Sequence, residues 1–213
     1  MSAWTRGAPL RSAADLARLR PLRADDVAYV ADTVDALVGE LPPTVPLLAF
    51  AGAPFTVASY LIEGRPSRDY RHTKAMMHTD ESLWHAVMER LAESAVTFID
   101  VQLRHGAGAF QLFDSWAGSL SRVDYERFVL PHSRDVFREL AIRHPNVPGI
   151  HFGIGCDHLL EAMLAAGPRI IGLDWRTPIG AARARLGPDT IVQGNLDPAA
   201  LIVRRFGGVV DKY

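Results

Sequence analysis

Five short apolar runs in this chain are each followed at once by residues suited to binding an anion or shaping a tight turn. Residues 45–50 lead into Gly52-Ala53-Pro54-Phe55-Thr56, and Ala109–Phe113 leads into Asp114-Ser115-Trp116-Ala117-Gly118. The third run holds His151 and enters Gly153-Ile154-Gly155. The fourth ends Gly172-Leu173-Asp174-Trp175, and the fifth Gln193-Gly194-Asn195-Leu196-Asp197-Pro198. Turn chemistry explains glycine, asparagine or aspartate at any one of these places. It explains less well the gathering of Asp114, Ser115, His151, Asp174, Gln193 and Asp197, which reads as a functional rim. From local pattern alone, Ser115 is a hydrogen-bond donor to an oxyanion or carboxylate. Tyr60, a helical turn or more past the first run, reads as an amphipathic core aromatic with its hydroxyl at the surface.

Several other chemistries are excluded by spacing. Gly153-x-Gly155 lacks the third glycine of a dinucleotide loop, and Gly-x-Ser-x-Gly, the esterase elbow, is absent. Cys156 is the sole cysteine, which rules out an internal disulfide and a zinc site built from several cysteines. It reads as a small reduced side chain. No His-x-x-x-His spacing supports a metal site around His151, Asp174 and Cys156. Within an apolar strand His151 reads as a hydrogen-bonded core residue, and Asp174 and Asp197 each suit a helix cap. Asp114, His151 and Asp174 are read as structural.

The elements that must hold these residues follow from periodicity. Apolar positions Val27, Val30, Ala31, Val34, Leu37 and Val38 mark one helix face behind Asp25 and Asp26, and Pro42-Pro43 stops the helix. Residues 45–50 read as a short buried strand, and Pro54 opens the next helix, where its missing N–H costs nothing. Residues 65–71 read as a loop or helix start. The longest periodic helix covers 81–105, ended by Gly106 and Gly108, and one helix is expected over about 124–143. Strands are expected at Ala109–Phe113, 149–152, 169–173 and 190–193, with helical segments at 157–166 and 179–186. Strict alternation of strand and helix means parallel pairing with helices packed on the sheet. The fold class is therefore α/β.

The chain has 213 residues, 48% of them hydrophobic, with 23 Lys+Arg against 24 Asp+Glu for a net charge of −1. That suits one sizeable core and argues against attraction to nucleic acid or an anionic membrane surface. No apolar run approaches the roughly 18 residues of a spanning helix. Residues 1–24 carry five arginines against Asp15 alone, as some organelle leaders do. Arginine outnumbers lysine throughout, however, so a cytoplasmic location is expected.

Taken together, the segments resemble one family. Phe50-Ala51-Gly52-Ala53-Pro54-Phe55-Thr56 with Ala58-Ser59-Tyr60-Leu61-Ile62-Glu63-Gly64 looks like the uroporphyrinogen decarboxylase signature. Gln111-Leu112-Phe113-Asp114-Ser115-Trp116-Ala117-Gly118, Gly172-Leu173-Asp174-Trp175 and Gln193-Gly194-Asn195-Leu196-Asp197-Pro198 match it in the same order. The resemblance implies a (β/α)8 barrel that removes the four acetate carboxylates of uroporphyrinogen III to give coproporphyrinogen III, on the way to haem. It implies no metal or organic cofactor, and usually a homodimer. It assigns substrate binding to Tyr60 and Ser115, as donors to propionate or acetate groups. No residue is assigned a catalytic role.

The family's Arg-Gln-Ala-Gly-Arg loop, its pyrrole-gathering aspartate and its Gly-His-Gly segment are not matched. The expectation is thus a partial TIM barrel of about five parallel strands with helices outside, truncated at both ends. It comprises an Arg-rich lead-in at 1–24, a partial barrel at 25–201 and a non-matching tail at 202–213. Such a chain is expected to be inactive alone, since an eight-stranded barrel takes about 250 residues. The alternatives are a non-catalytic remnant, an unstable truncated product, or a corrinoid-linked methyltransferase. The last needs a His-x-Cys pair and a later cysteine, whereas Cys156 follows His151 by five positions.

Overall fold

In a computed structural model, residues 8–65 and 67–200 are described. Residues 1–7 of the lead-in and the whole 202–213 tail lie outside the described residues.

The described chain runs α1 (Ala13–Ala17), a 3-10 turn (Ala24–Val27), α2 (Ala28–Glu40), β1 (Leu48–Gly52), α3 (Pro54–Glu63), α4 (Arg71–Thr79) and α5 (Glu81–Arg104). It continues with β2 (Ala109–Phe113), a 3-10 turn (Ala117–Ser119), α6 (Arg122–Phe128), α7 (Leu130–Arg143) and β3 (Gly149–Phe152). A 3-10 turn (Asp157–Leu159), α8 (Leu160–Leu164), β4 (Ile170–Gly172), α9 (Ile179–Leu186) and β5 (Ile191–Gln193) complete it. The five strands form one sheet in sequence order, parallel throughout. The α/β class and the five parallel strands with surrounding helices are as the sequence analysis expects.

Local chemistry sets the element ends. Pro54 opens α3, and Gly64, at φ 68°, closes it in the left-handed conformation that a side chain resists. Asp80 caps α5 by accepting from the Leu83 N–H at 3.0 Å, and Arg104 lies in the last turn, where the helix dipole favours a cation. The single helix expected over 124–143 is two. The chain breaks at Val129 so that Pro131 falls in the first turn of α7, where no partner for its missing N–H is needed.

Register assigns each strand residue to a face. Ala49, Ala51, Phe110, Leu112, His151 and Ile171 point toward the helices and are buried. Against them pack α3, α5 and α7, with Phe55, Trp84, Val87, Met88, Ile99 and Leu140 wholly inside. Trp84 completes its satisfaction by donating its indole N–H to the Phe128 carbonyl at 2.9 Å. The opposite face carries Leu48, Phe50, Gln111, Phe113, Ile150, Phe152 and Ile191. Strand β1 is therefore not the buried strand that its apolar run suggests: Phe50 is 56% exposed. A continuous apolar run reports what a strand can cover, not what covers it.

Candidate functional site

At the C-terminal strand ends an open concavity of about 620 Å³ lies over β1 and β2. Phe50 and Phe113 form its apolar floor, with ring centroids 6.0 Å apart edge to face, and Phe152 extends the row at 5.7 Å from Phe113. Ring room is made by Gly172, where a Cβ would lie 2.9 Å from Phe152. The first turn of α3 presents Thr56 and, four residues on along the same helical face, Tyr60. The turn after β2 presents Ser115 and Trp116. Trp116 stands edge to face with Tyr60 at 4.9 Å and with Tyr70 at 5.1 Å, so each aromatic limits the others' movement.

Tyr60 and Ser115, 55 positions apart in the chain, therefore border one concavity. Tyr60 is half exposed. Burial, with Tyr60 and Glu63 nearby, pushes the Tyr70 phenol up to about 12, so it is a neutral donor at ordinary pH. None of the lining side chains carries a charge. Arg65 borders a narrower cleft that shares Tyr60, Tyr70 and Trp116 with the concavity. Glu63 borders that cleft too but is engaged: its Oε1 accepts from the N–H and the hydroxyl of Thr73, each at 3.0 Å.

The rest of the polar rim separates into different layers. Asp114 is wholly buried beneath Ser115, where its Oδ1 accepts from the Thr56 hydroxyl at 3.2 Å. His151 lies on the helix side of the sheet and is also wholly buried, so it is not a rim residue. Asp174 is not a helix cap. It accepts from the Gly155 N–H at 2.7 Å and from the Arg176 N–H at 3.0 Å, and so ties the β3 and β4 loops together. Asp197 does act as a cap, accepting from the Ala199 N–H at 2.9 Å where residues 198–200 turn helical after β5, and Gln193 is exposed at the far strand. The two loops nearest Ser115 pass too closely for a side chain at Gly118, whose Cβ would sit 2.3 Å from the Ile154 carbonyl oxygen.

Sequence reasoning missed Thr56, Tyr70, Trp116 and the phenylalanine floor. Thr56 carried a signal, its spacing of four from Tyr60. Tyr70 carried none, because it is delivered by a left-handed residue (φ 50°) at the start of α4. Cys156 is buried, and its thiol is pushed up by burial and then by Asp114 and Asp174, which leaves it unreactive. Among the described residues, no three His, Cys, Asp or Glu side chains group as metal ligands, and no helix is long and apolar enough to cross a membrane.

Fold and site together define a parallel βα protein whose strand ends offer neutral hydroxyl donors above an aromatic floor. The family model for uroporphyrinogen decarboxylase matches residues 6–211. A uroporphyrinogen decarboxylase of Salinispora tropica is 54% identical over 193 residues, covering 91% of this chain and 51% of that protein. One of Rhodococcus opacus is 53% identical, covering 91% and 54%, and one of Streptomyces coelicolor is 52% identical, covering 92% and 55%. The chain belongs to the uroporphyrinogen decarboxylase family. It spans about half the length of the curated relatives it matches.

Proposed function

We propose that this chain supplies the part of a uroporphyrinogen decarboxylase that receives a carboxylate-bearing edge of uroporphyrinogen III. The observation that carries the reading is that Tyr60 and Ser115 border one concavity over the Phe50–Phe113 floor. The floor takes the apolar faces of the pyrroles, and the hydroxyls donate to an acetate or propionate. Charge-assisted bonds of this kind contribute about 1.5–3 kcal/mol each. Decarboxylation exchanges each acetate carboxylate for a proton, leaving a methyl group and carbon dioxide. The lining described here holds a carboxylate but places no cation against the developing charge. The chain alone is accordingly expected to bind the macrocycle and not turn it over. Action without a metal or organic cofactor, a cytoplasmic location and a homodimeric assembly belong to the same proposal.

The test uses purified chain and uroporphyrinogen III without oxygen, with binding read from quenching of tryptophan fluorescence that is lost in Trp116→Phe, and turnover from coproporphyrinogen. Binding without turnover is expected, and Tyr60→Phe with Ser115→Ala should weaken binding at least tenfold. Equal binding by that double variant would remove both hydroxyls from the site. Turnover at an enzyme's usual rate would overturn the expectation of inactivity.

A further inference from the structure

Beneath Ser115, on the helix side of the sheet, lies an arrangement that carboxylate binding does not use. Asp114 and His151 are both wholly buried, and Asp114 Oδ2 lies 3.7 Å from His151 Nε2. Neither of those atoms has a hydrogen-bond partner among the described residues. The pair's other polar atoms are engaged. Asp114 Oδ1 accepts from Thr56, and His151 Nδ1 lies 3.3 Å from the Met163 carbonyl oxygen. A carbonyl oxygen only accepts, so Nδ1 carries a hydrogen.

Were that the pair's sole proton, the Nε2 lone pair would face a carboxylate oxygen at a spot closed to bulk solvent. An uncompensated buried charge of that kind is strongly unfavourable. One more proton removes the conflict, either on Nε2 as imidazolium or on Oδ2 as a carboxylic acid. Both forms leave the pair with no net charge. The titratable side chains packed beside Asp114 supply no counter-charge: Tyr125 and Cys156 are held neutral by burial first and by Asp114 second.

The same carboxyl is tied to the rim. Thr56 Oγ1 accepts from the Trp116 N–H at 3.4 Å, which directs its own hydrogen to Asp114. The Asp114 N–H donates to the Phe152 carbonyl at 2.7 Å, and its carbonyl accepts from Ala117 at 3.1 Å. The turn bearing Ser115 is thus held through Asp114 on three sides.

We propose that Asp114 and His151 hold one proton between them beyond the one on Nδ1, and that this neutral pair positions the Ser115 turn without placing negative charge under the carboxylate subsite. The positioning half rests on the carboxylate-binding reading above; the proton half does not.

Nitrogen-15 NMR of histidine-labelled chain at neutral pH, with an infrared difference spectrum against Asp114→Asn, counts the proton. The expected result is a protonated Nδ1 together with a second N–H on His151 or an acid carbonyl band lost in Asp114→Asn. Any state in which the pair carries a net negative charge overturns the proposal. His151→Phe, which puts an apolar ring beside Phe137, whose centroid is now 5.2 Å from the imidazole, leaves the carboxyl without its partner. It should fold poorly or bind the octacarboxylate uroporphyrin at least tenfold more weakly. Adding Asp114→Asn should restore folding, and binding to within threefold of wild type. A double variant no better than His151→Phe overturns the positioning half. If the wild-type chain fails to bind uroporphyrin, the carboxylate-binding reading falls, while the proton count and the folding rescue still decide the pair.

Discussion

The two faces of the same sheet differ sharply. Toward the helices, Ala49, Ala51, Phe110, Leu112 and Ile171 are sealed by α3, α5 and α7. On the other face Phe50 and Ile191 are each 56% exposed, although they are as apolar as their buried neighbours. Hydrophobic stabilisation follows area removed from water, not residue type. The helix side therefore holds the fold together, whereas the other face leaves apolar side chains in contact with water. Position within β1 makes the point most plainly, since Ala49 and Phe50 are adjacent in the chain and opposite in role.

The largest expected effect breaks the sealed side. Trp84→Ala should lower stability by about 3–5 kcal/mol, read by urea unfolding, because it opens a cavity among wholly buried side chains. It also strips the Phe128 carbonyl of its indole donor. A loss below about 1 kcal/mol would mean that the helix layer is not packed as described.

Acid sharpens the same contrast through α7. Burial, with His85 beside it, holds His132 down to about 4 from its ordinary 6.5. Between those values the unfolded chain binds the proton that the folded chain refuses, so stability rises with pH. The contribution is complete above about 6.5 and is lost as pH falls toward 4, amounting to about 3 kcal/mol. Urea midpoints across that range should show the decline, and His132→Leu should flatten it. An unchanged slope in the variant would assign the acid limb elsewhere.

The smallest expected effect lies on the open side. Phe50→Ser should change stability by no more than about 0.5 kcal/mol, as for an exposed position. It should nevertheless reduce self-association in sedimentation, since it removes an exposed aromatic ring from the open face. A stability loss as large as that of Trp84→Ala would show that the open face is covered in solution.

Much of this architecture was legible beforehand. Strand β2 and strand β3 fall where the apolar runs end in glycine and polar residues, and Pro54 and Gly64 bracket α3 as their backbone preferences require. The break at Val129 was signalled by Pro131 but masked by apolar spacing that continues across it. The rim was legible only as a list of strand ends. Sequence could not show that His151 turns to the helix side, since one residue of register decides the face.

Residue types and their order, by themselves, determined the alternation of strand and helix, the parallel pairing and the family signature, because these follow from local preference and period. Only the tertiary structure decided that Tyr60 and Ser115 share a concavity, that Asp174 ties two loops, and that Asp114 and His151 meet fully buried. Those outcomes depend on how closely helices and loops pack across the sheet, and packing joins residues that no local pattern connects.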